Sequence, residues 1–359
     1  MSIIGSFFSD DLAVDLGTVN TVIFAPESGV VLNEPSAVAI NKYNGEVLAV
    51  GNEAFKLLGR EPHDTDVHRP VRNGTVVNFD AVEKMLSAFI QRAHGNRSKR
   101  SRLVIGVPGA STALEQRSVR DAARDAKAVK VDLVDEGLAA AIGAGLTIEN
   151  EQAHLIVDVG GGTTNIAVVA SGAIVSSKSL PVAGNKMDEA IQTYIRSKYE
   201  MQIGERTAEE VKKELSASFA DSAEPNGEPR KLEVIGKGVT DGMGKIVMLS
   251  PEEAHEALEP VMTEIITAVR RVVEESQPDV TADIYRTGIL LTGGGSLLKG
   301  FPERLKSELN LHVTLAEEPL LAVAMGAGRL LTNPEWLRRV AIREDVPVWQ
   351  NSEELIVNW

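Results

Sequence analysis

The chain has 359 residues, 43% of them hydrophobic, more than one ordinary core needs and enough to fill two lobes. A formal net charge of −14 argues against broad nucleic-acid binding, and the lack of cysteine excludes disulfides and thiolate metal sites, as suits a reducing cytoplasm. No apolar run reaches the roughly 18 to 20 residues needed to cross a bilayer, and no basic segment with a long apolar stretch marks a secretory signal.

The chain opens on "MSIIGSFFSDD". Ile3, Ile4, Phe7 and Phe8 fall on one face of a helix there. Burying all four is worth on the order of 6 to 10 kcal/mol gross, so one copy binds a membrane weakly and linked copies bind well. A strand or cap packed on the first lobe is the alternative. Strands are predicted at 12–16, 20–25, 37–41, 102–107, 131–134, 154–159, 165–170, 173–178 and 288–292, alternating with helical periodicity, the pattern of an α/β protein. The segment 79–94 puts Val82, Met85, Leu86 and Phe89 on one helical face, and 251–276 carries a long apolar stripe behind a Ser-Pro-Glu-Glu start. Residues 217–231 read as a polar surface loop.

One device occurs twice. "LAVDLGTVNTVIF" (12–24) and "IVDVGGGTTNIAVV" (156–169) are each an apolar run, an Asp, a Gly and Thr turn, and a second apolar run. Glycine lets successive backbone N–H groups point into one space and an anion approach them, which makes a phosphate cradle. An aspartate ending the preceding strand repels phosphate unless a cation lies between. Asp15 and Asp158, facing each other across a cleft, suit Mg²⁺ held largely through water. A third Gly-rich turn, Gly293 to Ser296, follows an apolar strand and suits backbone approach to an adenine or ribose.

These segments, with "LVDEGLAAAIGAG", "TAEEVKKEL" and "LTGGGSLLKGFPERL", resemble the phosphate, connecting and adenosine motifs of the actin, sugar-kinase and heat-shock-chaperone ATPase superfamily. Within it the chain is similar to the MreB family of bacterial actins. Further resemblance lies in "GVVLNEPSAVAI", "VGNEAFKLLGR", "RPVRNGTVVNF", "VAGNKMDEAI" and "PLLAVAMGAGRLL", so it reaches to about residue 340. It implies an α/β, actin-like ATPase fold of two lobes and four subdomains around a nucleotide cleft. The implied divisions are IA (1–32, 75–145 and 317–347), IB (33–74), IIA (146–181 and 246–316) and IIB (182–245), with a tail at 348–359.

The resemblance also assigns roles. Thr18, Val19 and Asn20 match the first phosphate loop, and Gly160, Gly161, Gly162, Thr163 and Thr164 the second. Glu209, Glu210, Lys212 and Lys213 match a nucleoside-contacting segment, and Gly293, Gly294, Gly295 and Ser296 the adenosine turn. Glu136 matches the glutamate that positions the attacking water and Thr163 the threonine that assists it, a division of labour suited to phosphoryl transfer to water. The implied ligands are ATP or ADP with Mg²⁺. The implied partners are further copies in paired filaments, the inner face of the cytoplasmic membrane and cell-elongation membrane proteins.

The chain departs from the family pattern at Gly137, which follows the glutamate where Pro is usual, at Asn165 where Glu is common, and at Asn185 where Asp is common. Gly137 is expected to loosen the helix start behind Glu136. The stretch at 93–103, where the family inserts an apolar loop, is basic here and suits anionic headgroups or plain solvent. The tail "VPVWQNSEELIVNW" suits an exposed end or a docking strand. Rival readings are an actin-like filament that positions plasmids or organelles, and a small-molecule kinase. The kinase needs a catalytic Asp beside the γ-phosphate, and the sequence offers no such position beyond the two aspartates assigned to Mg²⁺.

Overall fold

A computed structural model describes residues 11–95, 101–217 and 231–343. The apolar face of Ile3, Ile4, Phe7 and Phe8, the tail at 348–359, most of the polar stretch 217–231 and the centre of the basic stretch 93–103 lie outside the described residues.

Three antiparallel strands begin the chain: β1 (Leu12–Leu16), β2 (Asn20–Ala25) and β3 (Gly29–Pro35). The backbone then leaves for a small sheet of β4 (Val38–Asn41), β5 (Val47–Val50) and β6 (Thr65–His68), covered by α1 (Asn52–Leu57). It returns through a short hairpin, β7 (Val71–Arg72) and β8 (Thr75–Val76), into α2 (Phe79–Ala93). Asn78 caps α2 by accepting from the Ala81 N–H, and the predicted stripe of Val82, Met85, Leu86 and Phe89 is buried. Next come β9 (Arg102–Val107), α3 (Ala113–Asp125), β10 (Lys130–Asp135) and α4 (Glu136–Gly143). The resulting sheet has the order β10-β9-β1-β2-β3, with β9 parallel to both β1 and β10.

The second half repeats this plan. β11 (His154–Val159), β12 (Thr164–Ala170) and β13 (Ala173–Leu180) form the antiparallel part. An excursion follows through α5 (Gly184–Tyr199), β14 (Met201–Gln202), α6 (Glu205–Ala217), β15 (Leu232–Gly238) and β16 (Gly244–Leu249). The long helix α7 (Pro251–Glu275) starts at Ser250, whose hydroxyl and Glu253 form a reciprocal capping box, as its Ser-Pro-Glu-Glu start predicts. Then come α8 (Pro278–Thr287), β17 (Ile289–Thr292), α9 (Phe301–Leu309), β18 (Val313–Leu315), α10 (Ala322–Thr332) and α11 (Pro334–Val340). The second sheet runs β13-β12-β11-β17-β18, with β17 parallel to both β11 and β18, so it matches the first strand for strand.

The two sheets are joined by an exchange of helices. α4 leaves β10 of the first sheet and lies against β11 and β12 of the second, while α10 follows β18 of the second and lies against β1, β2 and β9 of the first. A separate core of small and branched residues, among them Ala13, Val104, Ala139, Ile156, Ala167, Ala322 and Ala327, is buried around this pair. The helices cross backbone to backbone. A Cβ on Gly143 would lie 1.8 Å from the Ala322 carbonyl oxygen, and one on Gly326 would lie 1.8 Å from that of Ala139. Among the described residues no helix is long and apolar enough to cross a membrane.

Candidate functional site

The β1–β2 and β11–β12 turns face one another across a cavity of about 740 Å³. They touch where side chains are missing. A Cβ on Gly161 would stand 2.1 Å from Val19 Cγ2, and one on Gly162 would stand 2.5 Å from Thr18 Oγ1, so the first turn occupies space the second leaves open. The Gly160 and Gly161 carbonyls accept from the Gly184 and Asn185 N–H groups at 3.1 and 2.7 Å, which anchors the second turn to the start of α5. Thr18 Oγ1 accepts from the Gly74 N–H at 3.1 Å and so anchors the first turn to the β7–β8 bend.

Among the carboxylates that line this space, Asp15 from β1, Asp158 from β11 and Glu136 from the first position of α4 lie near enough to feel one another's charge. Burial first, then the charge of Asp158, pushes Asp15 up to about 7. Burial, with a smaller contribution from Asp135 and against a hydrogen bond from Asn165, pushes Asp158 up to about 7. Glu136 is raised well above its ordinary value by burial, then by Asp15, Asp158 and Asp135, and is lowered by Asn165. Such crowding of negative charge fits a site completed by a cation. Among the described residues no three His, Cys, Asp or Glu side chains group closely enough to hold a metal ion directly.

The start of α4 is well tied. Asp135 caps it, its Oδ1 accepting from the Leu138 N–H at 2.9 Å. Gly137 has a steric reason to be small, since a Cβ there would sit 2.5 Å from the Ala167 Cβ. Glu136 Oε2 accepts from Asn165 Nδ2 at 2.6 Å.

Most predicted site residues line the cavity: Asp15, Thr18, Val19, Asn20, Glu136, Asp158, Gly160, Gly161, Gly162, Thr163, Glu209, Lys212, Lys213, Gly293, Gly294 and Gly295. Three do not. Thr164 begins β12 and points the other way, donating to the Val182 carbonyl at 2.7 Å. Glu210, one step on from Glu209 along α6, turns onto the exposed face and pairs with Arg206 at 3.1 Å. Ser296 is buried and donates to the Gly293 carbonyl at 2.5 Å, closing its own turn.

The cavity also has residues the motifs did not supply. Arg69 follows β6, Arg72 and Asn73 come from the β7–β8 hairpin, and Lys186 and Asp188 come from α5. Asp188 pairs with Lys212 at 2.8 Å, and Lys212 also donates to the Gly184 carbonyl at 3.0 Å, so α5 and α6 meet on a largely buried charge pair. The stretches "RPVRNGTVVNF" and "VAGNKMDEAI" mark these walls, without any glycine-rich device of their own.

The raised carboxylates give folding a signed pH dependence. Between the unfolded value of 3.8 and about 7 the folded chain holds protons on Asp15 and Asp158 that the unfolded chain releases. Their contribution is therefore present at low pH and lost as pH rises through about 7. Without nucleotide, the Tm at about pH 5.5 is expected to exceed that at about pH 8 by about 3 °C or more. An Asp15→Asn/Asp158→Asn variant should narrow the difference, and a gap as large as the parent's would count against these assignments.

Two sheets of one plan, with paired Asp-Gly-Thr turns meeting across the cleft between them, define an actin-like fold. The sequence matches the MreB/Mbl protein family over residues 9–339. The cell shape-determining protein MreB of Escherichia coli (strain K12) is 41% identical over 330 residues, covering 90% of this chain and 94% of that protein. The cell shape-determining protein Mbl of Bacillus subtilis (strain 168) is 39% identical over 332 residues, covering 92% and 98%. The crystal structure of MreB 5 of Spiroplasma citri bound to AMPPNP superposes with a TM-score of 0.83 at 32% identity, covering 90% of this chain and 96% of that one. The MamK double helical filament shares the fold, with a TM-score of 0.74 at 24% identity over 90% of this chain and 99% of that one. The chain belongs to the MreB/Mbl family.

Proposed function

We propose that this chain is a cytoskeletal ATPase that determines cell shape. It binds ATP in the cleft and assembles into paired filaments. These dock on the inner face of the cytoplasmic membrane and, with membrane proteins of the elongation machinery, organise cell-wall synthesis and rod shape. The observation that carries this reading is the pair of Asp-Gly-Thr turns closing on one cavity with an excess of buried carboxylate. The similarity to cell shape-determining relatives and to an AMPPNP-bound structure supports it.

The residues divide the work. Backbone N–H groups of the turns at Gly17 to Val19 and Gly160 to Thr163 cradle the phosphates, and the Gly293 to Gly295 turn receives the nucleoside. Asp15 and Asp158 would hold Mg²⁺, which when bound would neutralise charge on the phosphates. Glu136 orients the attacking water and Thr163 assists it. Glu209, Lys212 and Lys213 form the nucleoside wall. The four-subdomain division is proposed with two boundaries moved to the ends of strands, since β3 runs to Pro35 and β16 to Leu249.

Negative-stain microscopy and co-sedimentation with anionic lipid vesicles test this reading together. With Mg-ATP the full chain is expected to form paired filaments on the vesicles. Deleting residues 2–8, which removes the face of Ile3, Ile4, Phe7 and Phe8, should leave the filaments and abolish sedimentation with lipid. No polymer in any nucleotide state would overturn the cytoskeletal reading, and sedimentation unaffected by the deletion would remove its membrane part.

A further inference from the structure

A hydrogen-bonded row of side chains crosses the second sheet behind Glu136. In the strand registers Asp158 of β11 stands opposite Asn165 of β12, and Asn165 stands opposite Ser179 of β13. Asn165 is buried, both ends of its amide are used, and it also bonds Asp158. Ser179 Oγ donates to Asn165 Oδ1 at 2.7 Å, and Asn165 Nδ2 donates to Glu136 Oε2 at 2.6 Å.

We propose that Asn165, itself oriented by Ser179, is the positioning residue that aims the Glu136 carboxylate at the attacking water; this rests on the ATPase reading above. The chemistry fixes which way the amide faces. An ionised carboxylate only accepts hydrogen bonds, so the NH₂ end must face Glu136 and leave the carbonyl end for the serine hydroxyl. The Ser179 hydroxyl is what holds the carbonyl end among the described residues. The amide occupies Oε2 and leaves Oε1 to the water. A neutral donor also steadies Glu136 without a further charge among the carboxylates of the cleft. A carboxylate at 165 would face both Glu136 and Asp158.

The test compares full-length Asn165→Leu, which keeps the side-chain volume, with Ser179→Ala and Ser179→Thr. Phosphate release under Mg-ATP gives kcat, and a fluorescent ATP analogue gives Kd. Because Asn165 also bonds Asp158, affinity is compared for metal-free ATP, and Asn165→Leu is expected to lower kcat by about 30-fold with that Kd within about 3-fold, since an ångström of misplacement costs up to about 10²-fold in rate. Ser179→Ala should lower kcat by about 5-fold, and Ser179→Thr, which keeps the hydroxyl, should recover most of that loss. Parent turnover with normal kcat in both Asn165→Leu and Ser179→Ala overturns this inference alone. A fall in kcat matched by an equal loss of affinity and of Tm also overturns it, because it marks a structural role. A parent that binds Mg-ATP without releasing phosphate overturns the ATPase reading instead. Should Asn165→Leu fail to fold, the Ser179 pair decides by the same criterion.

Discussion

Glu136→Ala is expected to lower ATP turnover by about 10²- to 10³-fold and to leave nucleotide affinity within a few-fold of the parent. Glu136 is 8% exposed at the first position of α4, on a helix start capped by Asp135 and with one oxygen engaged by Asn165. Burial and the neighbouring aspartates raise its proton affinity, so when ionised it is a stronger base than a surface glutamate. In hydrolysis of a phosphoanhydride such a group orients water and relieves it of a proton late in the reaction, contributions confined to the transition state. Its removal therefore acts on kcat. It also takes one negative charge from the cleft, which favours a triphosphate. Phosphate-release kinetics beside equilibrium titration with a fluorescent nucleotide check both halves. Turnover within twofold of the parent, or affinity falling in step with turnover, would remove Glu136 from its assigned role.

Asp158→Ala is expected to weaken Mg-ATP binding by at least about 100-fold while changing metal-free ATP binding little, a difference of about 3 kcal/mol. Asp158 is the last but one residue of β11, beside the second and third turns. It precedes the Gly160 turn, faces Asn165 across the hairpin, and would lie 2.4 Å by its Oδ1 from a Cβ on Gly293. Few positions are as well placed to tie a cation to the phosphates. A second measurement separates lost binding from lost folding. Asp158 is buried and its charged form is disfavoured, so the variant should melt no lower than the parent at about pH 8 in the absence of nucleotide. Mg-ATP affinity equal to the parent's would sink the assignment.

The parts of this fold legible in the sequence are those where backbone geometry restricts residue choice. The strands around the paired turns are short β-branched runs broken by Asp, Gly and Thr, and all nine predicted strands have counterparts in the structure. The helices α2 and α7 declare themselves by apolar period and by caps at Asn78 and Ser250. β15 and β16 were hidden because their sheet is apolar on both sides: Val234 and Val247 are buried while Ile235, Ile246 and Met248 lie exposed, so no clean alternation survives. β7 and β8 are two residues each, too short to carry a pattern. In the cavity, the turn residues are legible because few residue types fit tight turns whose backbones approach each other so closely. Arg69, Lys186 and Asp188 are not, since a charge near the end of a strand or on a helix reads as ordinary surface. Thr164, Glu210 and Ser296 lie outside the cavity lining because a motif is contiguous in sequence while successive side chains point different ways.

The crossing of α4 and α10 has a consequence for how the molecule comes apart. Each half of the chain lends a helix to the sheet of the other, so neither half is finished by its own residues. Melting one half strips a wall from its neighbour, and the two must therefore unfold as a single cooperative unit despite the deep groove that divides them. The same crossing fixes how closely the two helices approach, because a methyl group at Gly143 or Gly326 would push the opposite backbone away and loosen both sheets at once.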